Sequence, residues 1–160
     1  MKKVDVAILM GSKSDLPVME EAAKILKEFA VSYEIRVLSA HRTPKETCEY
    51  AEKFRSNGGQ IFICGAGVSA ALAGVVSAHT TLPVIGVPID AALNGMDALL
   101  STVQMPPGVP VAAVAIGKGG AKNAGLLAIR ILSLNDSRLE KELDKYREDQ
   151  RQNILKIRIE

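Results

Sequence analysis

Short apolar runs alternate along this chain with stretches in which apolar residues recur every three or four positions. The runs are rich in Val, Ile and Ala, which is typical of buried strands. The intervening stretches predict amphipathic helices, because that spacing places their apolar side chains on one face. We expect strands at residues 4–10, 33–38, 61–64, 83–87 and 109–116. We expect helices that begin near residues 17, 44, 69, 95 and 121.

Proline marks several of these boundaries. Pro17 follows Asp15 and Pro44 follows Thr43, so each helix would have a capping side chain and then a proline that its first turn tolerates. Pro88 should end the fourth strand, because proline cannot donate to the hydrogen bonds of a sheet.

Strands that alternate with helices predict right-handed crossovers and a parallel sheet covered on both faces. We therefore expect an α/β fold, a flavodoxin-like three-layer sandwich with five parallel strands in the order 2-1-3-4-5. Residues 1–160 would form one domain that ends in an amphipathic helix at about 136–159. That helix would pack on its own domain or on a neighbour, through Leu139, Leu143, Tyr146, Ile154 and Ile157.

The composition narrows the class of protein. Hydrophobic residues make up 48% of the chain but only three Phe, three Tyr and no Trp are present, which suits an aliphatic core. The net charge is +2 and the basic residues do not cluster, so we expect no nucleic-acid partner. No membrane span or signal peptide is recognisable, so we expect a cytoplasmic protein that does not bind membranes. Cys48 and Cys64 form neither a disulfide framework nor a metal-ligand set.

Charged residues are unevenly distributed. Between residues 61 and 129 the charged side chains are Asp90, Asp97, Lys118 and Lys122. A monomer of this size could hardly bury all of that stretch, so part of it is expected to form a subunit interface.

Three short polar segments follow predicted strands: residues 11–15, 39–44 and 65–67. In a parallel sheet they would meet at the carboxyl ends of the strands, where open α/β sheets bind ligands. Together they offer small hydroxyls, one carboxylate, one guanidinium, one imidazole and bare backbone N–H groups. This set predicts a site for a phosphorylated small molecule with one titratable group for chemistry.

The segments at residues 11–15 and 65–67 do not by themselves require a ligand. Residues 11–15 lie at a helix N-terminus that would favour a phosphate, but a turn with Asp15 as the helix cap needs no ligand. The Gly65-Ala66-Gly67 segment lets a ligand approach the backbone, yet it lacks the full dinucleotide fingerprint.

His41 is the candidate for proton transfer, since it lies in a loop between small residues and histidine is the residue type that most often serves as a general acid or base. A solvated loop histidine is the alternative. His79 is better explained as a partner of a helix C-terminus, and Cys64 as a small core residue. We expect Asp97 to cap its helix.

Two motifs, at residues 12–17 and 39–44, resemble those of the N5-carboxyaminoimidazole ribonucleotide mutase family of purine biosynthesis. Further matches to this family lie at residues 83–88, 97–101, 103–106 and 115–117. The similarity runs in register from about Val4 to Leu132. It implies the flavodoxin-like fold and a homo-octamer whose sites involve neighbouring chains.

The resemblance also implies an activity, a 1,3 shift of a carboxyl group from N5 to C4 of an imidazole ribonucleotide without metal, ATP or organic cofactor. His41 would be the general acid and base. Asp15 would bind the ribose hydroxyls and Arg42 the phosphate. The remaining residues implied in substrate binding are Ser12, Ser14, Ser39, Ala40, Gly65, Ala66 and Gly67.

One segment departs from the family pattern. Mutases usually carry a histidine and a proline after the Gly-Ala-Gly segment, whereas residues 68–74 read Val-Ser-Ala-Ala-Leu-Ala-Gly. The related aminoimidazole ribonucleotide carboxylases, which use free CO2, are therefore the alternative. The Arg42-Thr43-Pro44 sequence favours the mutase, because the carboxylases generally carry a Lys-Gly-Pro type sequence there.

Two other classes share the fold, the FMN carriers and the receiver domains. A flavin site would need aromatic side chains, which are scarce here. A receiver domain would need an acidic cluster and an aspartate at the end of a strand, but the third strand is expected to end in Cys64.

Overall fold

The computed structural model describes residues 4–159 and contains one five-stranded parallel sheet in the order β2-β1-β3-β4-β5. The predicted α/β sandwich and its strand order are therefore confirmed. The strands are β1 Val6–Met10, β2 Tyr33–Val37, β3 Ile61–Gly67, β4 Val84–Ile89 and β5 Ala112–Ala113. The α-helices are α1 Leu16–Glu28, α2 Pro44–Phe54, α3 Leu72–Ala78, α4 Met96–Val103, α5 Gly117–Ser133 and α6 Ser137–Leu155.

The central strands are buried on both faces, which is why they read as continuous apolar runs. Along β1, Val6, Ile8 and Met10 join the core under α1, α5 and α6. The alternate residues Ala7 and Leu9 join a second core under α2 and α3. No helix within residues 4–159 is long and apolar enough to cross a membrane.

Two strands run further than expected. The segment Gly65-Ala66-Gly67 was expected to be a loop, but it continues β3 and pairs with residues 87–89 of β4. Pro88 does not end β4, because its backbone nitrogen faces the side of β4 that is turned away from β3. Two residues earlier, the carbonyl of Gly86 accepts a hydrogen bond from Val114 N. The N–H that Pro88 lacks would thus face β5 beyond the end of that short strand.

Other boundaries were also wrong. The fifth strand, expected at 109–116, is reduced to two paired residues at the edge of the sheet. The third helix begins at Leu72 rather than 69, because residues 68–71 form a tight turn in which Ala70 N and Ala71 N donate to the carbonyls two residues back. The fifth helix begins four residues early, at Gly117.

Helix α6 is shorter than the expected 136–159. It begins after Asp136, whose carboxylate accepts hydrogen bonds from Arg138 N and Leu139 N. Its first half packs on the domain core through Leu139, Leu143 and Tyr146. Ile154 and Ile157, which were expected on the same packed face, are 68% and 60% exposed.

Close packing of α5 against the preceding loop leads to a stability test. A Cβ on Gly120 would lie 1.5 Å from the carbonyl oxygen of Ala115, whereas one on Gly119 would meet nothing within 4 Å. We expect Gly120→Ala to lower the free energy of unfolding by about 2 kcal/mol or more, since backbone must move. The matched Gly119→Ala should leave it unchanged or raise it by up to about 1 kcal/mol. Urea denaturation of both variants measures this, and equal stabilities would contradict the packing described here.

Candidate active site

A cavity of about 440 Å³ opens at the carboxyl ends of β1, β2 and β3. Because β1 lies between β2 and β3, the segments that follow these two strands form opposite walls, and the β1 segment lies between them. The lining residues are Gly11, Ser12, Ser14, Asp15, Ser39, Ala40, His41, Arg42, Ala66, Gly67, Val68, Ser69, Ala71, Leu72 and Ala91.

The segment after β1 is a 3-10 turn, residues 13–15, that is closed by a capping box. The hydroxyl of Ser12 accepts a hydrogen bond from the backbone N–H of Ser14, and Asp15 Oδ2 accepts one from Ser12 N at 3.1 Å. The Ser14 hydroxyl donates to Ser12 Oγ at 2.9 Å. Asp15 was expected to cap the first α-helix with its side chain, and that is wrong, because its carboxylate turns back to Ser12 instead.

The segment after β2 is organised around Ser39, which is 9% exposed. Its hydroxyl accepts hydrogen bonds from Arg42 N at 3.2 Å and Arg42 Nε at 3.4 Å. Its backbone N–H donates to Thr43 Oγ1, and its carbonyl accepts from Thr43 N. The Arg42 guanidinium also donates to the carbonyl of Gly11, which joins the segments after β1 and β2.

His41 projects at the tip of this segment and lines the cavity. It is exposed, and its imidazole makes no hydrogen bond to any residue of the described range 4–159. An imidazole in such a position can accept or deliver a proton at a bound ligand.

The third wall comes from the end of β3. Ala66 and Gly67 line the cavity, but Gly65 does not. Gly65 is buried below it, where a Cβ would lie 2.3 Å from the sulfur of Met19. Its small size therefore makes room for core packing rather than for direct contact with a ligand.

Several lining residues were not among the predicted binding residues of the sequence analysis: Val68, Ser69, Ala71, Leu72 and Ala91. Val68 through Leu72 continue directly from β3, and Ala91 follows β4. Their place after strand ends was a usable signal, but their mostly apolar side chains carry no chemical signature.

The other candidate residues lie outside the cavity. His79 ends α3 with its Nδ1 2.9 Å from Glu52 Oε1. Cys64 is 1% exposed, and burial raises the pKa of its thiol, so it is a core residue. Asp97 was expected to cap its helix, but the cap position is taken by Gly95 in a left-handed conformation. Asp97 Oδ1 is buried without a hydrogen-bond partner among residues 4–159.

Together, the fold and the cleft define a flavodoxin-like α/β protein with a small-ligand site at the point where strand order reverses. The chain belongs to the AIR carboxylase family, whose model matches residues 5–153. This confirms the resemblance drawn from the sequence motifs.

Individual relatives agree. N5-carboxyaminoimidazole ribonucleotide mutase of Pyrococcus abyssi is 58% identical over 90% of this chain and 82% of that protein. The mutase of Bacillus subtilis is 56% identical over 94% of this chain and 93% of its own length. The crystal structure of Treponema denticola PurE superposes with a TM-score of 0.84 and 34% identity, covering 94% of this chain and 93% of that one.

The Ser39 hydrogen bonds can be tested by their effect on stability. We expect Ser39→Ala to lower the free energy of unfolding by about 1–2 kcal/mol, because the partly buried Arg42 N–H loses its acceptor. Ser14→Ala, which removes an exposed hydroxyl, should change it by less than about 0.5 kcal/mol. Urea titration compares the two, and a Ser39 variant as stable as the Ser14 variant would refute the role given to Ser39.

Proposed function

We propose that this protein is an N5-carboxyaminoimidazole ribonucleotide mutase, an isomerase that moves a carboxyl group from N5 to C4 in purine biosynthesis. The observation that carries the proposal is the single imidazole, His41, in a cavity whose other polar side chains are suited to binding. The chain's 47–58% identity to eight curated mutases supports the same substrate class.

Substrate binding is assigned to the walls formed after β1 and β2. Arg42 would exchange its hydrogen bond with the Gly11 carbonyl for the phosphate, because a guanidinium pairs well with an anion. Asp15 Oδ1 would accept from the ribose hydroxyls in exchange for its long, 3.4 Å hydrogen bond from the Ser14 hydroxyl, since Oδ2 is committed to Ser12 N. The hydroxyls of Ser12 and Ser14 add donors at the same end of the cavity.

His41 would move the proton. The bond between N5 and the carboxyl carbon breaks, its electron pair returns to N5, and His41 delivers a proton there as CO2 forms. C4 then attacks this CO2, the new carbon–carbon bond forms, and His41 takes the proton that C4 loses. One imidazole suffices because the proton delivered first is recovered later, so the proposal needs no metal, ATP or organic cofactor.

The intermediate CO2 must not escape. An apolar wall formed by Val68, Ala71, Leu72 and Ala91 suits a neutral CO2 molecule. Ala66 and Gly67 allow the ring to approach the backbone, as do Ser39 and Ala40 on the opposite side.

A CO2-dependent aminoimidazole ribonucleotide carboxylase is the second candidate. The observation that favours it is the wall formed by residues 68–72, where an alanine, Ala71, lines the cavity and the chain departs from the usual mutase motif. Dependence on added bicarbonate separates the two activities.

The proposal includes an octamer in the cytoplasm. An apolar stripe of Leu93, Met96, Leu100 and Val103 runs along α4 and the turn before it, and these side chains are 48–75% exposed. Such a stripe favours burial between chains. The free thiols of Cys48 and Cys64 suit a reducing compartment.

The activity is tested by ultraviolet assay of carboxyaminoimidazole ribonucleotide and its N5 isomer, with and without bicarbonate. We expect bicarbonate-independent interconversion, and we expect His41→Asn to lower kcat by about 10²- to 10⁴-fold. His79→Asn is the matched control, because that histidine pairs with Glu52 outside the cavity, and it should keep full activity.

Two outcomes would contradict this assignment. Slow isomerisation beside fast CO2-dependent carboxylation of aminoimidazole ribonucleotide would identify a carboxylase. Turnover that survives in His41→Asn would remove His41 from the mechanism.

The assembly is tested by light scattering at micromolar concentration. We expect a particle of eight chains, and we expect Leu100→Lys to shift it to smaller species, because a charge would have to be buried in the apolar stripe. Leu100→Met keeps the apolar surface and should keep the octamer. A monomeric wild-type protein would overturn the interface.

A further inference from the structure

Most polar side chains that line the cavity are already paired within the protein. Ser12, Ser14 and Asp15 bond to one another, and Ser39 bonds to Arg42. Two lining side chains make no hydrogen bond to any residue of the described chain: the imidazole of His41 and the hydroxyl of Ser69.

These two groups lie on opposite sides of the cavity. His41 follows β2 and Ser69 follows β3, with β1 between the two strands. The Ser69 wall is otherwise apolar, formed by Val68, Ala71 and Leu72. Among the lining residues on that wall, Ser69 is therefore the one with a polar side chain.

The backbone that carries Ser69 forms a strained turn. Val68 has a φ of 56°, and a branched residue rarely adopts a positive φ outside strained, functional turns. The turn is closed by short-range hydrogen bonds from Ala70 N to the carbonyl of Val68 and from Ala71 N to the carbonyl of Ser69. The preceding residue, Gly67, accepts no larger side chain, since a Cβ there would lie 2.8 Å from the Cβ of Ala91.

We propose that the Ser69 hydroxyl donates a hydrogen bond to the carboxyl group of the substrate and holds that group opposite His41 during transfer. This inference rests on the proposed function. The phosphate and ribose occupy the paired residues after β1 and β2, so the reacting end of the ligand is left facing His41 and Ser69. A hydroxyl donor binds a carboxylate before and after the transfer, while the apolar residues around it accommodate the neutral CO2 between the two steps.

The test compares two ligands in a His41→Asn background, which prevents turnover during the titration. The probes are carboxyaminoimidazole ribonucleotide and aminoimidazole ribonucleotide, which differ by the carboxyl group. We expect the additional change Ser69→Ala to weaken binding of the first by about tenfold, as for loss of a hydrogen bond to a charged group, and to leave the second unchanged. Ser133→Ala, a serine on α5 that bonds to the carbonyl of Arg130 outside the cavity, is the control and should change neither.

A second readout uses Ser69→Ala with His41 intact. We expect more aminoimidazole ribonucleotide to be released per isomerisation, because CO2 is held less well. Equal loss of affinity for both ligands, or no loss for either, would overturn the role of Ser69. If the His41→Asn protein bound neither ribonucleotide and the wild type turned over neither isomer, the proposed function itself would fail, and that result is distinct from an unchanged Ser69 variant.

Discussion

The site depends on β1 being an interior strand that is buried on both faces. Its five residues are fully buried, and it pairs with β2 on one side and β3 on the other. Since all strands are parallel, their carboxyl ends meet at one edge, and the helices that follow β1 and β3 leave on opposite faces of the sheet. The cleft is the space left between these two connections, which diverge from neighbouring strands.

The walls of the cleft are stabilised differently. The segments after β1 and β2 are fixed by side chains, through the capping box of Ser12 and Asp15 and the hydrogen bonds of Ser39 and Arg42. The wall after β3 is fixed by backbone, since Gly65-Ala66-Gly67 pairs with β4 and the next residue is held at positive φ. Polar groups on the first two walls are therefore partly occupied, whereas His41 and Ser69 remain available for a ligand.

This difference between paired binding groups and unpaired groups matches what a carboxyl shift requires. Binding groups can be shared with the protein's own hydrogen bonds, because a ligand can replace one partner with another. A group that transfers a proton must be accessible and must not be held by a fixed neighbour. An apolar wall with one hydroxyl accommodates both a carboxylate and CO2, which differ in charge but occupy the same place in the reaction.

The sequence by itself determined the sandwich, the strand order and the convergence of residues 11–15 and 39–42. Apolar periodicity reports burial directly, and a parallel sheet brings its strand ends together. Tertiary structure decided the rest. Pro88 stays in β4 because its nitrogen faces the side on which β5 has already ended, and Gly65 packs against Met19 below the cavity. Likewise, Val68 to Leu72 become a wall of the cavity opposite the segment after β2. These outcomes depend on which neighbour each group meets across the sheet, and local sequence does not encode that.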